Sequence, residues 1–507
     1  MIILEGHQIL RIKHFMWIKI PIMIFKNFFI ITVLVSYFGN SQTDKGPYFA
    51  TGIRIGDVSQ HEAIIWTRLT KNKVRINDAP LPISLYVRPD TGKRHLRETR
   101  RDKDGVVYFP QGFDINTIEG AVPGAEGEVK INYRPKGSKK WNFTDWKTVL
   151  KKANYSKKFI LTDLEPGITY EILVEGRSSY QDKVSSKING MFKTPPNPEI
   201  SKKIVFAAST CQGYPDQDHP DGYKIYPFLE SLDLDFFVHA GDIVYYDNLA
   251  KNKEMAHYHW DRMFSLPTNK SFHSKVTSYF EKDDHDAWFN DSYRGIKTSF
   301  MGEFTFDQGL EVFRQEMPIK DKTYRTFQWG KDLQIWLVEG RDYRSPNTMK
   351  DGPDKTIWGE DQLKWFKSSV LASDATFKIL ISPTPIVGPD RPTKKDNHSN
   401  KGFFYEGEII RKFIASQPNM FIVCGDRHWQ YVSKHGKYGI VEFSIGPNSM
   451  EHAGGWKQDN VKPEHLYLNV VGGAMTVTID PKDTPRIIVS HYDVDGNELN
   501  KFVAAAK

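Results

Sequence analysis

In the stretch Asp235-Phe236-Phe237-Val238-His239-Ala240-Gly241-Asp242-Ile243-Val244-Tyr245-Tyr246, an apolar run passes straight into Gly-Asp and then into two tyrosines. A short run that is apolar at consecutive positions fits a strand buried on both faces, as in a parallel sheet covered by helices. The Gly-Asp turn puts an ionisable residue just past the strand's carboxyl end, where open α/β sheets gather their ligands.

The same grammar recurs on both sides of this stretch. Ile204-Val205-Phe206-Ala207-Ala208 is followed by Ser209-Thr210-Cys211-Gln212, and Phe421-Ile422-Val423-Cys424 by Gly425-Asp426-Arg427-His428. Thr277-Ser278-Tyr279-Phe280 leads into Asp283-Asp284-His285-Asp286. Leu333-Gln334-Ile335-Trp336-Leu337-Val338 and Phe377-Lys378-Ile379-Leu380-Ile381 read as two further buried strands, with amphipathic helical stretches such as Glu360–Phe366 between strands. Residues 200–507 therefore read as an α/β domain with several chemistry-bearing turns at one end of its sheet.

Upstream the pattern changes. Ala63-Ile64-Ile65-Trp66-Thr67-Arg68-Leu69 alternates as a strand, and Lys158–Leu161, Leu164-Glu165-Pro166-Gly167 and Tyr170–Glu175 give strand, turn, strand. Residues 47–196 are expected to form a β-sandwich of the immunoglobulin or fibronectin kind. Residues 88–150 read as long hairpins or an insertion within it, and Thr194-Pro195-Pro196-Asn197-Pro198 as a rigid linker to the α/β part.

The first 42 residues read as an export signal region. Lys26 precedes the apolar run Phe28–Phe38, and Gly39-Asn40-Ser41-Gln42 supplies small residues for cleavage after Ser41. Met16 and Met23 are alternative starts, and a retained membrane anchor is the alternative to cleavage. Either way the body of the protein is expected outside the cytoplasm, secreted or periplasmic or held at the cell surface, with no membrane span in the mature form unless that segment is retained.

At 507 residues, with 39% hydrophobic and 26% charged side chains, the composition is that of a folded two-domain protein. The net charge of +7 comes from interleaved charges of both signs, so no nucleic-acid partner is implied. There are two cysteines, Cys211 and Cys424. Export invites a disulfide between them, but Cys424 ends a buried strand and Cys211 stands at a site turn, so both are expected as free thiols.

Carboxylates, imidazole, phenolate and thiolate in one crevice repel one another unless cations neutralise them. Hard oxygen donors beside a thiolate and a phenolate suit iron(III) together with harder divalent ions such as Ca²⁺ or Mn²⁺. Two adjacent metals can hold a substrate oxyanion and acidify a water, so hydrolysis of a phosphate ester is the expected chemistry.

In the order and combination of these motifs, together with Arg341-Asp342-Tyr343-Arg344 and the strand at 63–69, the sequence resembles the alkaline phosphatase D (PhoD-like) family of calcineurin-like metallophosphoesterases from about Tyr48 onward. The resemblance implies an αββα sandwich catalytic domain behind the N-terminal β-sandwich. It implies Cys211 and Tyr245 as iron ligands and Asp242 as the carboxylate bridging the metals. By the same resemblance Asp284 would occupy the position where related enzymes use Asn, and Asp426 and His428 would form the last metal-binding turn. His285 would contact substrate oxygen or protonate the leaving group, and Arg344 would clamp a phosphate oxygen. The cofactors so implied are iron(III) plus one or two divalent ions, Ca²⁺ foremost and Mn²⁺, Mg²⁺ or Zn²⁺ as alternatives.

The substrate would be a small-molecule or saccharide phosphate ester. Sulfatase chemistry on a saccharide sulfate ester is the enzymatic alternative, and a non-catalytic surface binder the reading from another class. At the residue level, Tyr246 competes with Tyr245 as ligand, Arg344 could pair with Asp342 instead of substrate, and His239 reads as a buried strand residue. His257 and His259 read as pocket rim at most, and the aromatics Trp288, Phe289, Phe403, Phe404, Tyr405 and Trp456 mostly as core. Two departures from the family pattern stand out: Asp286 where the phosphatases usually carry Glu, and no His in Ser382-Pro383-Thr384-Pro385.

Overall fold

The apolar run at 236–240 forms a strand, Phe236–Ala240, that is buried along its whole length. The computed structural model describes residues 46–82, 86–87, 94–95, 107, 109–247, 249–298 and 300–507. The expected signal region 1–42, and most of 88–106, lie outside the described residues.

Strand Phe236–Ala240 runs parallel to Ile204–Ser209 on one side and Ser278–Glu281 on the other. These three are the middle of a nine-stranded sheet. On the far side of Ile204–Ser209 come the antiparallel strands Gly473–Asp480, Arg486–Asp493 and Glu498–Ala505. A second, seven-stranded sheet has Leu333–Leu337, Phe377–Ser382, Met420–Cys424 and Val441–Ser444 parallel at its centre.

The strand period of two explains how these sheets layer. Phe206, Ala208, Phe236, Val238 and Tyr279 face the second sheet and meet Ile335, Leu337, Ile379, Ile381 and Val423 in one buried cluster. The intervening residues Ala207, Phe237 and Phe280 face the opposite way, into the cluster that contains helices Lys253–Phe264 and Phe306–Glu316. On the outer face of the second sheet, Trp336, Leu380 and Ile422 pack with helices Gly359–Leu371 and Phe404–Ala415. The layers are therefore helix, sheet, sheet, helix, the αββα sandwich expected. Phe236 ties the two sheets together, its ring stacked between Phe206 at 4.5 Å and Trp329 at 4.6 Å. Such pairs add about 0.5–1.5 kcal/mol each beyond burial.

The N-terminal strands Ile53–Gly56, Ala63–Arg68 and Ser156–Leu161 do not form a separate sheet. They extend the nine-stranded sheet beyond Ser278–Glu281, joined to it by the parallel pairing of Gly56 with Ser278. Their inner face packs on a five-stranded sheet built on Gly127–Pro135, Thr169–Arg177 and Ser186–Lys193, with Ile53, Ile65 and Phe159 meeting Ile131, Ile172 and Phe192. Of the hairpins expected in 88–150, Gly127–Pro135 with Asn142–Phe143 and Lys147–Val149 is present.

This junction holds a buried polar knot. Arg54 lies 3.4 Å over the Trp66 ring and donates to Glu316 at 3.2 Å. Glu316 also accepts from Asn154 at 3.1 Å and lies 2.7 Å from His257 Nδ1. Truncating one member of a buried ion pair leaves the other uncompensated. Glu316→Ala is expected to lower stability by about 3–5 kcal/mol, read from the urea midpoint at unchanged m-value. A loss below about 1 kcal/mol, the range of an exposed pair, would remove the knot from the account of this junction.

Candidate metal centre

The carboxyl ends of the central strands of both sheets come together, and glycine is what lets them. A Cβ on Gly425 would strike the Ala240 carbonyl oxygen, and one on Gly241, where φ is +88°, would sit 2.8 Å from the Cβ of Asp283. The Gly-Asp pairs of the two motifs therefore let one turn press against its neighbours. Backbone hydrogen bonds lace the turns: Cys211 N–H donates to Gly241 O at 3.2 Å, Gln212 N–H to Asp242 O at 2.8 Å and Asn448 N–H to Cys211 O at 3.3 Å.

Cys211, Asp242 and Asp426 all adopt left-handed backbone conformations, with φ of 53°, 56° and 61°. Each costs a non-glycine residue on the order of 1–3 kcal/mol, and such strain concentrates at functional sites. Its effect is to turn three strand ends abruptly, so that donor atoms converge within 4.8 Å of one another in three overlapping groups: Cys211, Asp242 and His428; Asp242, Asp284 and His285; Asp242, Asp283 and Asp426. Asp242 belongs to all three.

One oxygen on each of three carboxylates in the cluster is left without a hydrogen-bond partner. Asp242 Oδ1, Asp283 Oδ2 and Asp284 Oδ1 are buried without a hydrogen-bond donor. Burial pushes the Asp242 carboxyl well above its usual range, helped by Asp284, Asp283 and Asp286 and opposed by His285. Burial and Asp242 likewise push the Cys211 thiol up; its Sγ lies 3.5 Å from Asp242 Oδ2. Burial and nearby cationic groups hold His428 down, as a neutral imidazole ready to donate its lone pair. Buried carboxylates and a thiol with open lone pairs fit cations, which supply the missing positive charge.

Around this cluster the acids are individually managed. Burial pushes Asp283 up to about 7, with Arg341 opposing; Arg341 Nε and Nη2 grip its Oδ1 at 2.6 and 2.5 Å. Burial acts on Asp284 too, but Arg341, His285 and Lys394 outweigh it and keep that carboxylate ionised. His285 Nδ1 lies 2.9 Å from Asp247 Oδ1. Burial opposes its charged form, yet Asp247, Asp284 and Asp242 raise its pKa well above the ordinary histidine value. Its ring lies 4.2 Å, centroid to centroid, from that of Tyr245.

Arg344 is buried, and none of its three guanidinium nitrogens has a hydrogen-bond partner among the described residues. Asp342 pairs with Lys282 at 3.0 Å and with Arg314 at 3.6 Å, not with Arg344. Tyr246 is packed in the helix-side core and takes the indole N–H of Trp260, whereas the Tyr245 hydroxyl points to His452 at 2.8 Å. His239 is a buried strand residue and His259 bonds to Arg262, while His257 lines a cleft to which none of these turns contributes. Both cysteines are free. Trp288 and Phe403 are core, but Phe404 and Tyr405 are 51% and 44% exposed, because they begin a helix whose other face is the packed one.

Three features escape the sequence pattern. Asp286 accepts from the backbone of Ile243 at 2.8 Å, Val244 at 2.9 Å and Asp283 at 3.1 Å, so it clamps the turn that carries Asp242. The Arg341–Asp283 pair is the second. The third is His452, placed between Tyr245 and His428 and held by Asp216. It follows the buried strand Val441–Ser444, whose central Glu442 hides the apolar signal.

A model of the family described as PhoD-like phosphatase matches residues 206–471, more than half of the 507-residue chain. The chain belongs to the PhoD-like phosphatase family. A solved structure of PhoD is similar over 90% of this chain and 89% of its own, with a TM-score of 0.66 and 16% identity. Purple acid phosphatase PPD1 from seeds of yellow lupin (Lupinus luteus) covers 89% of this chain and 74% of its own at a TM-score of 0.59 and 11% identity. At such identities the likeness is one of fold. Among curated proteins, the large subunit of 3-isopropylmalate dehydratase from Corynebacterium glutamicum (strain R) is 32% identical over 84 residues. That stretch is 17% of this chain and 17% of the relative, so the chain matches only about a sixth of the length of these curated relatives.

Removing the clamp tests the geometry without touching a donor of the three groups. Asp286→Ala is expected to lower turnover about 10–100-fold, the usual cost of losing support behind a metal ligand, with the fold intact by circular dichroism. Unchanged turnover would show that the Asp242 turn holds itself.

Proposed function

We propose that this chain is an exported, metal-dependent hydrolase of phosphate esters. One observation carries it: in a chain of the PhoD-like phosphatase family, Asp242 is common to three convergent groups of metal-ligating side-chain types at the strand ends, and its Oδ1 has no hydrogen-bond partner. The donor set of Cys211, Asp242, Tyr245, Asp284, Asp426 and His428 supports iron(III) on the thiolate and phenolate side and a harder divalent ion, Ca²⁺ foremost, on the carboxylate side. Export rests on the N-terminal segment; among the described residues no helix is long and apolar enough to cross a membrane.

When bound, the ions supply a water acidified toward neutral pH and positive charge against the phosphoryl oxygens. The chain's own residues do the rest. Asp242, shared by the groups, holds the two ligand sets at fixed spacing. His285, whose Nδ1 is fixed by Asp247, stands to give a proton from its other ring nitrogen to the departing alcohol oxygen. Arg344, lowered to about 10 by burial and by Arg341, stays charged at physiological pH and offers its unpaired fork to a non-bridging phosphate oxygen. Phe403 lies 5.1 Å beneath that guanidinium and steadies it.

Chromogenic phosphomonoester, phosphodiester and sulfate ester, each given to metal-stripped and reconstituted protein, test the reading. Turnover of a phosphate ester that vanishes on stripping and returns with metal supports it; turnover of the sulfate ester alone would replace it with a sulfatase. Asp242→Asn is expected to lose most bound metal and nearly all turnover. Cys211→Ser is expected to bleach a visible absorption band, and Cys424→Ala to leave it; a colourless, iron-free, active protein would overturn the iron assignment. His285→Ala is expected to slow turnover about 10²–10⁴-fold with metal content unchanged, and parallel loss of metal would make His285 a ligand instead.

A further inference from the structure

Among the described residues, His452 is an imidazole beside Tyr245 and His428 that the proposed ligand and acid–base roles leave unused, and its surroundings are those of a metal ligand. Asp216 Oδ2 lies 2.6 Å from its Nδ1. A carboxylate there accepts a hydrogen bond from Nδ1–H and leaves the Nε2 lone pair facing outward, the arrangement by which proteins commonly orient a metal-binding histidine. Two groups then face that single lone pair, the Tyr245 hydroxyl at 2.8 Å and His428 Nε2 at 3.2 Å. Only one of them can place a proton on it. A hydrogen-bonded cluster thus leaves one contact frustrated, whereas a cation shared by three outward lone pairs satisfies all of them. Gly213 makes room for the pair: a Cβ there would collide with Asp216 Oδ2 and come within 2.8 Å of His452 Nδ1.

We infer that His452, oriented by Asp216, is a further ligand of the ion held by Tyr245 and His428. The inference rests on the metal-centre reading above and extends it on the side away from Asp284. A neutral imidazole in place of a solvent molecule leaves the charge of the site unchanged while closing one coordination position to water. Open positions for water and substrate then remain on the carboxylate side, where His285 and Arg344 stand.

The test compares His452→Ala, Asp216→Asn and Gly213→Ala with wild type. Metal content is measured after dialysis against a graded series of chelator, alongside the visible phenolate band. His452→Ala is expected to lose the ion of the Tyr245 side at about 10–100-fold lower chelator, with a shifted band, and added imidazole is expected to restore both. Asp216→Asn and Gly213→Ala, which keep the imidazole but misorient it, are expected to show the same change more weakly. His452 is half-buried on a short surface turn, so its removal spares the core; should His452→Ala nevertheless fail to fold, the other two variants decide. Retention of full metal content with an unaltered band in the folded variants would overturn the inference, even if turnover fell. Cys211→Ser and Asp242→Asn run beside them separate the two readings: loss of metal there with none at His452 sinks this inference alone, and no loss anywhere sinks the metal centre as a whole.

Discussion

Gly425 lies where any side chain would strike the Ala240 carbonyl oxygen, and that close approach of one sheet's turn to the other's strand end is what the site depends on. It brings Asp426 from the seven-stranded sheet within reach of Asp242 and Asp283 from the nine-stranded one. Neither sheet alone holds the set. The apolar layer between them, with Phe236 stacked on Phe206 and Trp329, fixes the spacing at which the two rows of turns meet. Packing energy gathered in the sandwich is in this way transmitted to a place where packing cannot help, since the groups there are buried, acidic and short of partners.

The same place carries left-handed backbone at Cys211, Asp242 and Asp426. Taken together, three such residues cost on the order of 3–9 kcal/mol, comparable to the net stability of an ordinary domain. The compensation is local and can be read bond by bond. Asp286 accepts three backbone N–H groups around the Asp242 turn, the Cys211 turn is laced to Gly241 and Asn448, and Arg427 pairs with both Asp426 and Asp390. Rigid support of this kind holds like-charged groups together in advance, the preorganisation that a functional site requires.

How much of this was legible in the sequence follows from what each signal measures. Buried parallel strands announce themselves as continuous apolar runs, so Ile204–Ser209, Phe236–Ala240 and Met420–Cys424 were readable, and the polar turn after each gave Cys211, Asp242, Asp426 and His428. Val441–Ser444 was not readable, because Glu442 breaks its run. That glutamate is buried and accepts the backbone N–H groups of Ile386, Val387 and Gly388, a demand set by a loop some fifty residues away in the chain. Missing that strand meant missing the turn after it, and with it His452. The pairing of Gly56 with Ser278, which merges the N-terminal strands into the larger sheet, also has no local signature. Alternation in a strand reports which face is buried and says nothing of which edge is paired.

The departure at Asp286 acquires a physical meaning once its bonds are known. A side chain that accepts from Ile243, Val244 and Asp283 backbone has both carboxylate oxygens engaged and none aimed at a cation. Burial pushes its pKa up to about 7, and the backbone donors around it counter that rise. The carboxylate at 286 therefore serves the scaffold of the Asp242 turn and leaves the donor atoms of the three groups alone. The other departure, the absence of a histidine in Ser382-Pro383-Thr384-Pro385, falls on a segment packed against the Gly425 turn. Ser382 and Pro383 are occupied with backbone there: Gly425 N–H donates to Ser382 O, and a Cβ on Gly425 would lie 2.9 Å from Pro383 O. The imidazole that reaches the strand ends from outside the apolar-strand motifs is instead His452, on the turn after Val441–Ser444, beside Tyr245 and His428.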